Sequence, residues 1–300
     1  MQMALPGMPG AFNVMPALQY GNANSTSSGN TPLYLDMLHP ITPSTKLMPA
    51  VIYIHGGGWA EGERSTAMYP WLNPLLAAHG FVTVSITYRL SRWATFPAQI
   101  HDAKAAVRWL RANAERYAID PERIGVWGDS AGGHLAALLG VTGDLDLPEL
   151  EGNNGSPGYS SRVQAVVARV PPTDFLSSTI ENNTPSMVTQ LFGGMIGEKE
   201  ALMRQASPLY YVHRGVPPFQ IVHGTNDESV PFEQGERFAQ ALTEVGGEVD
   251  FIVMPGCYHN LRTERDLPWS DVPWAEMGQK ALAFFQKHLM RPESATVERE

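Results

Sequence analysis

From Leu33 onward the chain alternates short runs of Val, Ile and Phe with stretches in which apolar residues recur every three or four positions. The runs Leu33–Leu38, Val51–His55, Phe81–Thr87, Arg123–Trp127, Val163–Val170, Phe219–His223 and Val249–Met254 are mostly close to continuous in apolar side chains. That is the pattern of strands covered on both faces, as in a parallel sheet. The clearest helix follows Pro97, where Ile100, Ala103, Val107, Leu110, Ala114 and Tyr117 fall on one face. Further helices are expected near Ala131–Leu139, Glu233–Val245 and Trp274–Leu289. This alternation predicts an α/β domain with a mostly parallel central sheet of about eight strands and helices on both faces. Ligands of such sheets bind beyond the carboxyl ends of the strands.

The same rhythm sets the domain organisation. Residues 1–30, rich in Met, Pro, Gly, Asn and Ser, predict an irregular N-terminal arm, and residues 31–290 a single domain. The polar, glycine-rich stretch Gly143–Ser161 reads as a long surface loop. Asp174–Tyr211 carries only weak helical signals and is expected to form a lid or pocket-wall insertion over residues 174–211. The charged tail, residues 291–300, is expected to be mobile.

Composition narrows the partners. A net charge of −9 with no run of Lys and Arg argues against nucleic acid or an anionic membrane as the main partner. No apolar stretch reaches the roughly 20 residues of a membrane helix. Met1–Tyr20 lacks the basic start and continuous apolar core of a signal peptide, which fits either a cytoplasmic chain or one whose signal has been removed. The single cysteine, Cys257, excludes an intrachain disulfide and reads as a small buried residue rather than a reactive thiol. With no H-E-x-x-H, no paired cysteines and no carboxylate-rich calcium loop, neither a metal nor a cofactor is implied.

The chemistry concentrates in three loops. Gly128-Asp129-Ser130-Ala131-Gly132-Gly133 fits G-x-S-x-G between a strand and a helix, a turn so tight that small residues must flank the serine. Ser130 is thereby a candidate nucleophile at a helix N-terminus, where free amides favour developing negative charge. His55-Gly56-Gly57-Gly58-Trp59 follows an earlier strand, and its glycines let backbone amides face inward. Gly57, Gly58 and Ala131 are the expected oxyanion-hole donors, with His55 bracing the loop. A phosphate loop would need Lys-Ser or Lys-Thr after the glycines, where this chain has Trp59-Ala60. Trp59 either lines the acyl pocket or packs beneath it, and Asp174 is a further candidate for the pocket.

A serine hydroxyl needs a neutral imidazole to take its proton, and that imidazole needs a carboxylate to fix its tautomer. In this arrangement the chain order is serine, acid, histidine. Asp227 follows the strand Phe219–His223, and His259 follows the strand Val249–Met254, which makes Ser130, Asp227 and His259 the candidate triad. The rivals are Glu228 as acid and His223 as base, although His223 ends a buried strand. His134, one turn after Ser130, reads as a supporting or packing residue.

On these residues the chain resembles the bacterial α/β-hydrolase group called BD-FAE. The resemblance is carried by Val51–Trp59, Thr87-Tyr88-Arg89-Leu90-Ser91, Phe96–Asp102, Asp129–Ala136 and Pro172-Thr173-Asp174-Phe175, and extends through Asp227 and His259. That group is described as bifunctional acetylxylan esterase and feruloyl esterase. The resemblance implies an α/β-hydrolase fold and a small-molecule or oligosaccharide substrate carrying short-acyl or hydroxycinnamoyl esters, as on xylan. Hormone-sensitive-lipase-like carboxylesterases share both glycine motifs, but usually follow Tyr-Arg-Leu with Ala-Pro-Glu, where this chain has Ser91-Arg92-Trp93. They stand as the alternative, together with lipases and carbamate- or amide-cleaving serine hydrolases. Arg169-Val170-Pro171 departs from the usual BD-FAE lead into Pro-Thr-Asp-Phe, which bears on the shape of the acyl pocket.

Overall fold

In the central strands, neighbouring residues bury on opposite faces, as a period of two requires. Along Met48–Ile54 (β4), Ala50, Ile52 and Ile54 join one apolar cluster, while Val51 and Tyr53 join another on the far side. In Ala165–Arg169 (β7), Val166 and Ala168 face the first cluster and Ala165 and Val167 the second. A sheet buried on both faces explains the near-continuous apolar runs. The computed structural model describes residues 2–4, 9–25, 29–41, 47–66, 72–177, 185–194, 196–264 and 274–291.

The remaining strands are β1 (Gln2–Ala4), β2 (Ala11–Ser25), β3 (Gly29–Pro40), β5 (Val82–Ile86), β6 (Ile119–Asp129), β8 (Phe219–Gly224) and β9 (Val249–Met254). Among the described residues they form one nine-stranded sheet in the order β1-β2-β3-β5-β4-β6-β7-β8-β9. β1, β2 and β3 are antiparallel to their neighbours; from β5 through β9 every pairing is parallel. The first face is covered by α2 (Ala98–Ala112), α3 (Ala131–Thr142) and α7 (Glu233–Glu244), the second by α1 (Leu72–Ala78) and α8 (Trp274–Leu289). This is the α/β-hydrolase fold, and all seven strands expected from the apolar runs are present.

The N-terminal segment corrects the expectation of an irregular arm over residues 1–30. Ala11–Ser25 is a long strand, in register with β3 from Phe12↔Pro40 to Ser25↔Gly29. Register shifts between Met15 and Leu18 and between Gln19 and Gly21 break its alternation, so its sequence lacks a period of two. Tertiary contacts supply what propensity does not. Phe12, Tyr20 and Ala23 are buried, the Tyr20 hydroxyl donates to the Thr87 carbonyl, and the Ala17 amide donates to Asp36 Oδ1 at 2.7 Å.

Within Gly143–Ser161, expected as a loop, lies one short helix, α4 (Pro148–Glu151). The segment is clamped by three cations of α2. Lys104 Nζ donates to the Thr142 carbonyl at 3.1 Å and to Glu151 Oε2 at 3.0 Å. Arg108 donates to the Glu151 carboxylate, to the Glu151 carbonyl at 2.9 Å and to the Asn154 carbonyl at 2.7 Å. Arg111 reaches the carbonyls of Ser160 and Arg162, both at 2.6 Å. Lys104 and Arg108 are fully buried, so these bonds satisfy charges that otherwise would not tolerate burial.

The insertion over 174–211 contains α5 (Pro185–Phe192), α6 (Glu200–Ala206) and a 3₁₀ turn, Pro208–Tyr211. Residues 178–184 and 195 lie outside the described residues, as does the predicted mobile tail beyond Arg291. The insertion is tied down where it is described: the Phe96 amide donates to the Leu191 carbonyl at 2.9 Å, and the Phe175 amide donates to Ser207 Oγ at 2.9 Å.

Arg108→Ala leaves the Glu151 carboxylate and two carbonyls without their buried donor, so unfolding free energy should drop by about 3 kcal/mol, read from the urea midpoint. Burial alone would raise the Glu151 carboxyl, but the Lys104 ammonium, the Ser161 hydroxyl and the Arg108 guanidinium together hold it below its ordinary value. A depressed acid stabilises the fold above its unfolded pKa and stops doing so as pH falls through the folded one. The difference between parent and Arg108→Ala should therefore shrink on acidification below roughly pH 4.

Candidate active site

Strand β6 runs into Ser130, and α3 leaves it at once. Ser130 has φ 54° and ψ −118°, a backbone conformation that costs a non-glycine residue energy. The turn is held from below, where the Ser130 amide donates to the Arg169 carbonyl at 2.9 Å. A Cβ at Gly132 would strike the carbonyl of Ile54, and one at Gly128 the carbonyl of Gly132. The two flanking glycines are thus steric requirements of the turn.

The two predicted partners follow β8 and β9, two and three strands along the sheet from β6. His259 Nε2 lies 2.9 Å from Ser130 Oγ, and His259 Nδ1 lies 2.7 Å from Asp227 Oδ2. The other oxygen of Asp227, Oδ1, accepts the amides of Ser229 at 3.0 Å and Val230 at 2.8 Å. An ionised carboxylate only accepts, so His259 Nδ1 carries a hydrogen, and Nε2 of the neutral ring is the acceptor that faces Ser130. The Asp227 carboxyl is held at about 2: burial on its own would raise it, but the His259 and His223 imidazoles outweigh that.

His223, weighed from the sequence as a rival base, joins this cluster on the far side of the acid. It ends β8 fully buried, its Nε2 donating to the Val230 carbonyl at 2.8 Å and lying 3.4 Å from Asp227 Oδ2. It is therefore not placed as a rival base toward Ser130; it faces the back of the acid. Its spacing of four residues before Asp227, across the turn at the strand end, was the available signal.

The glycine loop adopts left-handed backbone at three successive residues, Gly57 (φ 107°), Gly58 (φ 56°) and Trp59 (φ 59°). Among the described residues, no acceptor is bonded to the amides of Gly57 or Gly58. Ala131 is the first residue of α3, where an amide has no intrahelical acceptor. His55 braces the loop as expected. Its Nδ1 bonds the Gly56 carbonyl at 2.8 Å, and its ring stacks on Tyr88 at 4.3 Å. Burial lowers the His55 imidazole to about 4, which keeps it neutral.

Gly57, Gly58, Trp59, Glu61, Ser130, Pro172, Met187, Ser229, Val230 and His259 line one cavity of about 240 Å³. Trp59 borders the cavity and packs against Phe175 with ring centroids 5.6 Å apart. Asp174 does not belong to this lining. Its carboxylate accepts the Tyr210 hydroxyl at 3.1 Å and pairs with Arg237 at 3.0 Å, which joins the insertion to α7 instead. A buried carboxylate flanked by an arginine and a phenol is drawn toward them rather than toward an uncharged pocket. Cys257 is buried, as expected, and burial pushes its thiol up. Among the described residues no group of three or more His, Cys, Asp or Glu is arranged to hold a metal ion.

The chain is similar to the esterase LipC of Mycobacterium tuberculosis, with 34% identity over 229 residues, 72% of this chain and 53% of that protein. It spans about half the length of the first curated relatives it matches. Among solved structures it is similar to a truncated form of a carbohydrate esterase from gut microbiota. That likeness has 29% identity and a TM-score of 0.77, covering 93% of this chain and 97% of that one. A propionate-bound thermophilic esterase, Est2 of Thermogutta terrifontis, shows 25% identity and a TM-score of 0.73, covering 96% of this chain and 98% of that one. Residues 35–242 match the BD-FAE family model, a span that holds the serine turn, the glycine loop and the buried acid; this chain belongs to the BD-FAE family of the α/β-hydrolase fold.

Proposed function

We propose that this chain is a serine carboxylic ester hydrolase with Ser130 as nucleophile, His259 as base and acid, and Asp227 as the orienting carboxylate. The observation that carries the reading is the unbroken relay from Ser130 Oγ to His259 Nε2 at 2.9 Å and from His259 Nδ1 to Asp227 Oδ2 at 2.7 Å. It opens on a cavity beside three unengaged amides. As Ser130 Oγ attacks the ester carbon, its proton passes to His259 Nε2. Asp227 stabilises the imidazolium while the amides of Gly57, Gly58 and Ala131 receive the developing oxyanion. The tetrahedral intermediate collapses, the C–O bond to the alcohol breaks, and His259 returns the proton to the leaving oxygen. Water then attacks the acyl-enzyme through the same steps and releases the acid.

The substrate we infer is a short-acyl or hydroxycinnamoyl ester of a hydroxyl-rich alcohol, with acetyl and feruloyl esters of xylan fragments as the class the family suggests. Two features favour the short-acyl members, and a third favours a hydroxyl-rich alcohol. The cavity, at about 240 Å³, lies below the range of roughly 300–1,000 Å³ usual for ligand pockets. Met187 lies across Gly58, so closely that a Cβ there would collide with its sulfur, and this limits acyl length. Glu61 and Ser229 add polar acceptors to the wall that an alcohol bearing several hydroxyls can use. Similarity to a carbohydrate esterase points the same way.

Ser130→Ala should abolish hydrolysis of p-nitrophenyl acetate, and Asp227→Asn should lower kcat by roughly 10⁴ through the wrong imidazole tautomer, whereas Glu228→Gln retains parent rates. Initial rates on purified variants check this; parental turnover by Ser130→Ala would refute the assignment. In a panel of p-nitrophenyl acetate, butyrate and octanoate with methyl ferulate, the shorter straight chains should be preferred. Met187→Ala should raise octanoate turnover several-fold and leave acetate unchanged. A flat chain-length response with no ferulate release would count against the xylan-ester substrate and favour a general carboxylesterase.

A further inference from the structure

His134 takes no part in the proton relay, yet it touches three parts of the site. It lies one turn along α3 from Ser130, fully buried, and its amide donates to the Ser130 carbonyl at 2.9 Å. The Trp59 indole donates from Nε1 to His134 Nδ1 at 3.1 Å. On the opposite side of the ring, Nε2 lies 2.7 Å from the carbonyl of Ala206, the last residue of α6. An indole nitrogen only donates and a carbonyl only accepts, so the hydrogen sits on Nε2 and Nδ1 is bare. The two neighbours therefore fix a single tautomer. Phe175 closes the enclosure edge-on, with ring centroids 4.9 Å apart. Burial lowers the imidazole to about 4, so it stays neutral and Nδ1 remains an acceptor in any ordinary buffer.

What this ring holds is the residue that ends the glycine loop. Trp59 is in left-handed backbone directly after Gly57 and Gly58, and without a glycine's freedom it stays there only if its surroundings fix it. Two bonds do so: the Trp59 carbonyl accepts the Ser91 amide at 2.7 Å, and the indole is anchored on His134. The Gly57 carbonyl is held in turn by the amides of Ala60 at 3.0 Å and Glu61 at 3.1 Å, so the indole anchor is what fixes the loop on its Trp59 side, next to the peptide that follows Gly58.

We propose that His134 is a positioning residue for the oxyanion hole, which by accepting the Trp59 indole N–H sets where the amides of Gly57 and Gly58 stand relative to Ser130 Oγ. This rests on the ester-hydrolase reading above. The same ring fastens α6 of the insertion to the glycine loop, so pocket wall and oxyanion loop share one anchor. Donors aimed at the oxyanion act on the transition state and hardly on the bound ester, so their displacement lowers kcat and spares KM.

The test is a double-mutant cycle on p-nitrophenyl acetate with His134→Leu, Trp59→Phe and the pair, folding being followed by circular dichroism melts. Losing alignment with an oxyanion donor costs on the order of 10² in rate. Each single variant should lose about that factor in kcat with KM within about threefold of the parent, and the double variant should be no worse than either. The proposal is overturned if folded Trp59→Phe keeps the parent kcat, if the loss falls in KM, or if the two losses multiply. Should His134→Leu fail to fold, Trp59→Phe alone decides by its kcat and KM. Ser130→Ala run alongside separates the two readings. Activity that survives it sinks the hydrolase assignment, while activity that needs Ser130 but ignores Trp59→Phe sinks only the role of His134.

Discussion

Everything at this site depends on one steric constraint, the closeness of the Ser130 turn to the end of β4. The helix leaving Ser130 packs so tightly on the sheet that Gly132 lies against the carbonyl of Ile54 with no room for a Cβ. Only this approach lets a strand reverse into a helix within one residue, and only that reversal lifts Ser130 Oγ clear of the sheet. The strain at Ser130 is carried by the surrounding structure: the parallel ladder of β6 with β4 and β7, and the bond from the Ser130 amide to Arg169. Because β4 ends at the same point, its following loop is brought within reach of the serine without any further device.

The electrostatics are built on the same edge. Asp227 is buried, but both its oxygens are occupied, one by two amides of its own turn and the other by His259 with His223 behind it. That explains how a buried carboxyl stays ionised, since donors on both oxygens offset lost hydration. His55 and His134, by contrast, are buried without a carboxylate partner, and burial keeps them neutral. Imidazoles on one sheet edge thus sit in different surroundings: His259 lies between a carboxylate and the Ser130 hydroxyl, while His55 and His134 bond the Gly56 carbonyl and the Trp59 indole of the glycine loop.

Legibility in the sequence followed the physics of each segment. The central strands were readable because burial on both faces leaves unbroken apolar runs. Ala11–Ser25 was not, because two register shifts and its Pro, Gly and Asn residues erase alternation, and the strand exists by pairing with β3. Gly143–Ser161 looked like a free loop because the groups that fix it, Lys104, Arg108 and Arg111, are charged residues of a distant helix. Asp174 looked available to the pocket because Tyr210 and Arg237, which claim it, come from elsewhere in the chain.

The sequence by itself determined the local requirements: glycines where the backbone must turn or approach closely, a serine between a strand and a helix, and an acid and a histidine each just past a strand. These are properties of a few consecutive residues, so they are written in consecutive letters. The tertiary structure alone decided which side chains meet. It put His259 between Asp227 and Ser130, turned His223 onto the acid's back, joined Trp59 to His134 and drew Asp174 away. Such pairings depend on strand order and on competition among buried polar groups for partners, and neither is encoded in any short stretch of chain.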